Sequence, residues 1–240
     1  MALDIKSVSK TRLTSIKQKH AAEKAQQLSA LPEMVSNAIQ CHEQWVKSQG
    51  KDGAKMDLRN HVLTNIELTH FELDEAELRN ANLSEANIIC GSLDKACLSG
   101  CKIDGAYFDA SLKKANLQKV HGENVSFNAD DCCEAGFSNA ILPKSDFTYA
   151  KLKKASFDGA DLTEAKFEGA DLESANFFNA NLKNANFIGV QTLEGANFYG
   201  ADISGAKISL NDITIEQLGQ CLYTPELAQM IQAKYCLMKA

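Results

Sequence analysis

Between residues 157 and 187 the chain reads FDGADLTEAKFEGADLESANFFNANLKNANF, with Leu or Phe at every fifth position and Ala two places before each. A period of five matches neither an amphipathic helix, at about 3.6, nor a half-buried strand, at about 2. The series begins at Leu58 and runs to Phe108, resumes one residue early at Leu112, continues to Phe187, resumes one residue late at Leu193 and ends near Ile213. That makes 11, 16 and 5 slots, 32 in all. Taking every fourth slot keeps residue types in step across both slips. One column ends Phe137, Phe157, Phe177, Phe198; the next ends Leu142, Leu162, Leu182, Ile203; the third ends Phe147, Phe167, Phe187, Ile208; the fourth ends Leu152, Leu172, Leu193, Ile213. An alternation of Leu and Phe needs an even number of slots per layer, and a four-sided coil of about twenty residues satisfies it. The slips then read as one tightened and one loosened corner.

A side of five residues points two side chains inward and three outward. The larger inward residue is the Leu or Phe; the smaller is the Ala two before it, as at Ala76, Ala115, Ala160 and Ala201. Small residues are needed there because four sides converge on one axis. At a strand spacing of ~4.8 Å, eight coils would make a rod roughly 38 Å long. Gly100, Gly105, Gly159, Gly169, Gly200 and Gly205 fall two after the large inward residue, where a corner is expected to want unusual backbone angles.

Units such as ADLTE, AKFEG, ADLES and ANLKN make this stretch, about 57–215, resemble the pentapeptide-repeat family. The resemblance implies an all-β solenoid, a right-handed quadrilateral β-helix, here of about eight coils capped by α-helices at both ends. The best-understood relatives dimerise through C-terminal elements and present an acidic, DNA-like rod to DNA gyrase. The residues that would carry such a surface here lie along the fourth column, with Glu72, Asp74 and Glu75 in one coil and Asp171 and Glu173 in another. Between them stand Lys95, Lys113, Lys114, Lys151, Lys153 and Lys154, so the sign alternates from layer to layer and predicts stacked opposite charges. DNA carries one charge per ~1.7 Å of axis, about 22 over such a rod, whereas residues 57–215 carry 24 acidic and 14 basic side chains.

The flanks follow other rules. Leu31, Met34, Val35, Ala38, Ile39, His42, Trp45 and Val46 keep helical spacing, and a weaker stripe of Leu13, Ile16, Ala22, Ala25 and Leu28 predicts an earlier helix over about 11–29. SQGKDGAK reads as a joint, so residues 1–56 form a helical N-terminal extension and linker. Its helices are expected to cap the open first coil, where an exposed strand edge would invite association. The bulkier inward residues His61, Ile66 and Phe71 suit a wider, covered end. The alternative makes the basic first helix, with Lys6, Lys10, Arg12, Lys17, Lys19 and Lys24, a docking arm. Residues 216–240 form C-terminal capping helices, with Thr214 and Gln217 suited to a capping box and Thr224 and Pro225 to a second helix start. Leu218, Leu222, Leu227, Met230, Ile231 and Leu237 would cover the last coil. Phe178 and Tyr199 should stack outside adjacent coils. Either the terminal helices cover them or they form a homodimer or partner site. With His42 and Trp45 they are the candidate interaction surface.

Composition adds limits. No apolar run reaches the ~20 residues of a membrane span and the N-terminus lacks an apolar signal core, so the expected compartment is cytoplasmic. The eight cysteines show no paired spacing and are expected to be reduced. The five histidines are scattered, and no Ser or Cys has a base nearby, so no catalytic, cofactor or metal site is assigned. Cys90, Cys97 and Cys101 are a weak thiol cluster; Cys101 and Cys132 read as small apolar fillers. The least regular stretch is QKVHGENVSFNADDCC, where Gly122 empties a Leu slot and Asp130 occupies an Ala slot. The sequence therefore predicts a non-catalytic interaction scaffold with an unidentified protein partner, no direct nucleic-acid binding and a homodimer through the C-terminal end as an option. The alternative is a DNA-mimic modulator of gyrase or another DNA-binding enzyme.

Overall fold

The structure, a computed structural model, describes residues 5–128, 130–222 and 224–239, with side chains from residue 14 onward except those of residues 226 and 239. Two helices lead in: α1 spans Ile5–Ala30 and α2 spans Glu33–Lys47. The first starts earlier than its apolar stripe suggests. Pro32 separates the two, since it cannot continue α1 but is pre-set for a helix start. Val35, Ile39 and His42, at helical spacing on one face of α2, are buried.

From Asp57 to Lys207 the backbone pairs in parallel with itself, nineteen to twenty-one residues on and most often twenty, in four rows. One row runs Asp57, Glu77, Cys97, Asn116, Gly136, Ser156, Asn176, Asn197; the other three are offset from it by five residues at each step. Each paired residue immediately precedes a Leu or Phe slot, so the slot points inward and its neighbours outward. Three short segments are regular enough to be strands, β1 at Glu67–Thr69, β2 at Asn87–Ser92 and β3 at Tyr107–Ser111, joined in the order β1-β2-β3. On a typical side, Leu152 N–H donates to Asp171 O at 2.8 Å, Lys154 N–H to Glu173 O at 2.9 Å and Asp171 N–H to Ala150 O at 3.0 Å. The corner closes on itself through Ala155 N–H to Leu152 O at 2.9 Å. Backbone donors and acceptors are thus satisfied between layers without long strands.

Among the described residues the second corner residue is left-handed at nearly every corner. It is Gly at the positions the sequence marks, but Asn, Lys or Glu at most others, for example Lys154 with φ 57° and Glu164 with φ 61°. The inter-coil hydrogen bond through its own N–H holds the residue there whatever its side chain.

The interior is a column of Ala beside stacks of Leu and Phe, all essentially inaccessible. Phe137, Phe157, Phe177 and Phe198 stack with centroids 4.8 to 5.1 Å apart, and Phe108, Phe127, Phe147, Phe167 and Phe187 form a second stack at 4.7 to 5.2 Å. The two stacks meet edge to face, the complementary arrangement for rings with negative faces and positive edges.

Both slips lie at corners. The side between Phe108 and Leu112 lacks one turn residue, and the preceding coil answers with an extra residue at Cys90, where the β2–β3 register shifts. The loosened corner lies between Phe187 and Leu193, where Gly189 O replaces the usual carbonyl as acceptor for Gly169 N–H. The irregular stretch keeps its register at Gly122: His121 still pairs with Ile141 and Gly122 N–H still donates to Ile141 O. Val120 and Val125 occupy small-residue positions there and fill the room a Leu would take. A Cβ on Gly122 would lie 2.6 Å from Val125 Cγ2 and 2.9 Å from the Ile103 carbonyl carbon. Ala129, within this stretch, lies outside the described residues.

Two further helices close the chain, α3 at Ile215–Gln220 and α4 at Pro225–Lys239. Leu218 and Leu227 are buried and Met230 and Ile231 pack on the core, whereas Leu222 and Leu237 are exposed and do not serve as cover.

Candidate interaction surfaces

The two ends of the β-helix are closed by side chains as well as by apolar faces. At the first coil, the Met56 N–H donates to His42 Nδ1 at 2.9 Å, and Thr69 N–H donates to Gln27 Oε1 of α1 at 2.9 Å. At the last coil, Gln217 Nε2 donates to Leu193 O at 2.9 Å and Ala196 O at 3.0 Å. The same Gln217 completes the expected capping box with Thr214, and Leu227 N–H donates to Thr224 Oγ1 at 3.1 Å. These groups take up backbone donors and acceptors that no further coil supplies.

His42 is therefore corrected as a surface residue. It is wholly buried, its Nε2 has no hydrogen-bond partner, and burial holds its pKa below the ordinary imidazole value. Trp45 is half-buried, stacks on His42 at 5.6 Å and carries Lys55 Nζ 5.7 Å above its ring. It shares a shallow cavity of about 380 Å³ with Asp74 and Glu75, so the fold brings together residues nominated separately from the sequence. A larger cleft of about 650 Å³ separates the helices from the open edge of the first coil, lined by Gln26, Leu31 and Val35 on one side and Val62, Asn65 and Glu67 on the other.

The basic helix does not act as a free cationic arm along its whole length. Lys17 and Lys19 are exposed, but Lys24 turns inward, 4.7 Å over the Phe71 ring and paired with Glu43. Lys6, Lys10, Arg12 and Leu13 belong to α1, and their side chains lie outside the described residues.

The fourth row is a ladder of paired charges. Glu75 meets Lys55 at 3.3 Å and Lys95 at 4.0 Å; Lys113 and Lys151 meet Asp131 at 3.2 and 3.7 Å; Lys114 meets Glu134 at 3.5 Å; Lys153 meets Glu173 at 2.6 Å. Hydrogen bonding to these carboxylates raises the pKa of Lys113 and of Lys153. Asp74 accepts Asp94 N–H at 3.0 Å and the Ser92 hydroxyl, and Asp171 accepts Glu173 N–H at 3.1 Å. Only Glu72 of the five acidic candidates stands fully exposed. The row presents alternating charge.

The aromatic candidates sit differently from the cover the C-terminal helices were expected to give. Phe178 and Tyr199 stack at 5.7 Å with rings 7° apart, and are 37% and 61% exposed. Two further exposed apolar residues, both on the third row rather than beside this stack, escaped the sequence reading. Tyr149, 62% exposed, lies across Gly169 of the next coil, where a Cβ would come within 2.2 Å of its ring; Ile188 follows on the third row. An apolar residue at an outward corner, next to the inward Phe, was the available signal.

All eight cysteines are unpaired. Burial pushes the Cys101 and Cys221 thiols up to about 12 and that of Cys133 to about 11, which suits them to packing rather than thiolate chemistry. Among the described residues no helix is long and apolar enough to cross a membrane.

The sequence profile for pentapeptide repeats matches residues 62–100 and 155–191, in eight copies. The chain thus carries pentapeptide repeats. Comparison with curated proteins finds no match. Among solved structures, the chain is similar to a trypsin-treated form of QnrB1, a plasmid-mediated fluoroquinolone resistance protein. The two are 15% identical with a TM-score of 0.50, over 76% of this chain and 91% of the other. A pentapeptide-repeat protein from the thylakoid lumen of Arabidopsis thaliana is 23% identical, with a TM-score of 0.43, over 49% of this chain and 84% of its own. HetL, involved in heterocyst differentiation regulation in Nostoc sp. strain PCC 7120, is 23% identical with a TM-score of 0.26, over 69% and 90%. The QnrB1 likeness concerns the fold, a right-handed β-helix; helices flank it at both ends.

Proposed function

We propose that this chain is a non-catalytic, cytoplasmic scaffold for protein–protein interaction, its four rows forming the sides of a rigid rod of about eight coils. The observation that carries the reading is the exposed Phe178–Tyr199 stack. Its corners are held by Gly159 N–H to Phe178 O and Asn179 N–H to Tyr199 O, each at 2.8 Å. An aromatic pair on so fixed a backbone can be buried by a partner with little ordering cost, which is how aromatic anchors concentrate binding energy. The partner is an unidentified protein or a second copy of the chain.

Gyrase modulation by DNA mimicry is the competing reading, and the fourth-row ladder weighs against it because six lysines, Lys95, Lys113, Lys114, Lys151, Lys153 and Lys154, stand among the carboxylates of that row. A mimic of duplex DNA needs a continuous negative face. The test compares wild type, Phe178→Ser/Tyr199→Ser and Asp171→Lys/Glu173→Lys in cross-linking capture from cells, light scattering and a gyrase supercoiling assay. We expect an assembly, with itself or with a captured protein, that the aromatic variant loses and the charge variant keeps. Assemblies indifferent to the aromatic variant would overturn the scaffold site. Inhibition of supercoiling lost on charge reversal would replace this reading with mimicry.

A further inference from the structure

The five histidines look scattered along the chain, yet folding joins two of them. His20 and Glu23 lie three apart on α1 and therefore share a face. That face is pressed onto the corner of β1: Gln27, one turn further on, accepts Thr69 N–H at 2.9 Å, and His70 is the next residue. The His20 and His70 rings stack with centroids 3.8 Å apart and planes 20° apart, and His70 Nε2 lies 3.9 Å from Glu23 Oε2. Donor atoms from the three side chains all fall within 4.8 Å of one another, and all three residues are half-buried.

We propose that His20, Glu23 and His70 bind a divalent transition-metal ion of the zinc class, which clips α1 to the first coil. Two imidazoles and a carboxylate are a donor set such ions favour, with bonds of about 2.0–2.2 Å. A tetrahedral ion at those lengths wants donors roughly 3.3 Å apart. The widest pair here must close by at most about 1.5 Å, within reach of a Glu side-chain rotation and a tilt of the imidazoles. Two supports are fixed already. His70 holds a left-handed backbone, φ 65°, and its N–H donates to Ile89 O at 2.9 Å in the next coil. The chief competitor for Glu23 on its own helix is Lys19, at 3.7 Å and largely solvated, a pairing a metal ion would displace. Lys24 is already committed to Glu43. The clip would close a loop of about fifty residues and so tie the N-terminal cap to the rod.

The test uses the full chain, chelator-treated and kept reduced, titrated with Zn²⁺ and, for its spectrum, with Co²⁺. Expected are one equivalent of bound metal, a Co²⁺ spectrum without a thiolate charge-transfer band, and slowed amide exchange over residues 14–30 on binding. His20→Gln and His70→Asn, the latter chosen because Asn tolerates a left-handed backbone, should each weaken binding more than about tenfold and abolish the exchange effect. Circular dichroism confirms that these variants fold. Binding unchanged in either variant would overturn the site. So would a thiolate band, which would point to the exposed Cys41 or Cys90, and so would no binding at micromolar metal.

Discussion

At the scale of single residues, two positions break the repeat and each break has a physical consequence. Gly122 occupies a Leu slot, and a repeat-based repair would restore Leu. Because Val125 Cγ2 and the Ile103 backbone already lie within 3 Å of the place a Cβ would take, Gly122→Leu should instead destabilise by about 1–3 kcal/mol through overpacking. Adding Val125→Ala should recover part of that loss in a double-mutant cycle followed by urea unfolding, and strictly additive effects would contradict the volume exchange. Asp130 is the second break. Its Oδ1 accepts Ala110 N–H at 2.8 Å, its Oδ2 has no partner, and burial, with Asp109 adding repulsion, pushes its pKa up to about 8. The folded protein thus holds this proton more tightly than the unfolded chain. The stabilising contribution is complete below about pH 4 and is lost as pH rises toward 8. Asp130→Asn keeps the acceptor and removes the titration. Its stability relative to wild type should therefore improve by roughly 1–3 kcal/mol between pH 5 and pH 8; a pH-independent difference would show that Asp130 is not the group concerned.

At the scale of elements, the terminal helices show what a sequence can and cannot disclose. Thr214 with Gln217, and Thr224 with Pro225, are local signals, and both helix starts form where those residues place them. The second task of Gln217, donating to Leu193 and Ala196 carbonyls, depends on where α3 docks, so no spacing could announce it. The same holds for His42, nominated from the sequence as a surface residue but buried as the acceptor for Met56 N–H. It holds again for His20 and His70, neighbours only through the docking of α1. Because burial lowers the His42 pKa, the unfolded chain takes up this proton more readily. The stabilisation of the cap is present above about pH 6.5 and is lost as pH falls below it. Amide exchange over residues 33–56 should accelerate from pH 7 to pH 5.5 beyond the intrinsic change in rate. His42→Gln, which can still accept from Met56, should abolish that excess. Gln217→Ala should cost about 1–3 kcal/mol and fray residues 193–213 first, since it leaves the Ala196 carbonyl unsatisfied and removes one of two donors to Leu193 O.

At the scale of the whole molecule, the period of five announced the rod because each side repeats one packing problem: a large residue, a small one, a corner and three backbone bonds to the next layer. Corner charge was equally legible, since lysines and carboxylates alternate by layer in the sequence and pair across layers in the fold. A stack of this kind is nearly one-dimensional, each coil supported by its neighbours alone. Position along the rod should then decide the cost of an identical truncation. Phe157 stacks on Phe137 and Phe177 at 4.8 and 5.1 Å and meets Phe147 and Phe167 edge to face; Phe198 has one stacking and one edge contact, with Phe177 and Phe187. Phe157→Ala should lose about 3–5 kcal/mol and raise amide exchange on both sides of the cavity, dividing the rod into two weaker blocks. Phe198→Ala should cost less and open the last coil and α3, leaving residues 57–150 protected. Urea unfolding with exchange mapping separates the two cases. Equal costs at the two positions would mean that the helical caps, rather than the aromatic stacks, set the stability of the rod.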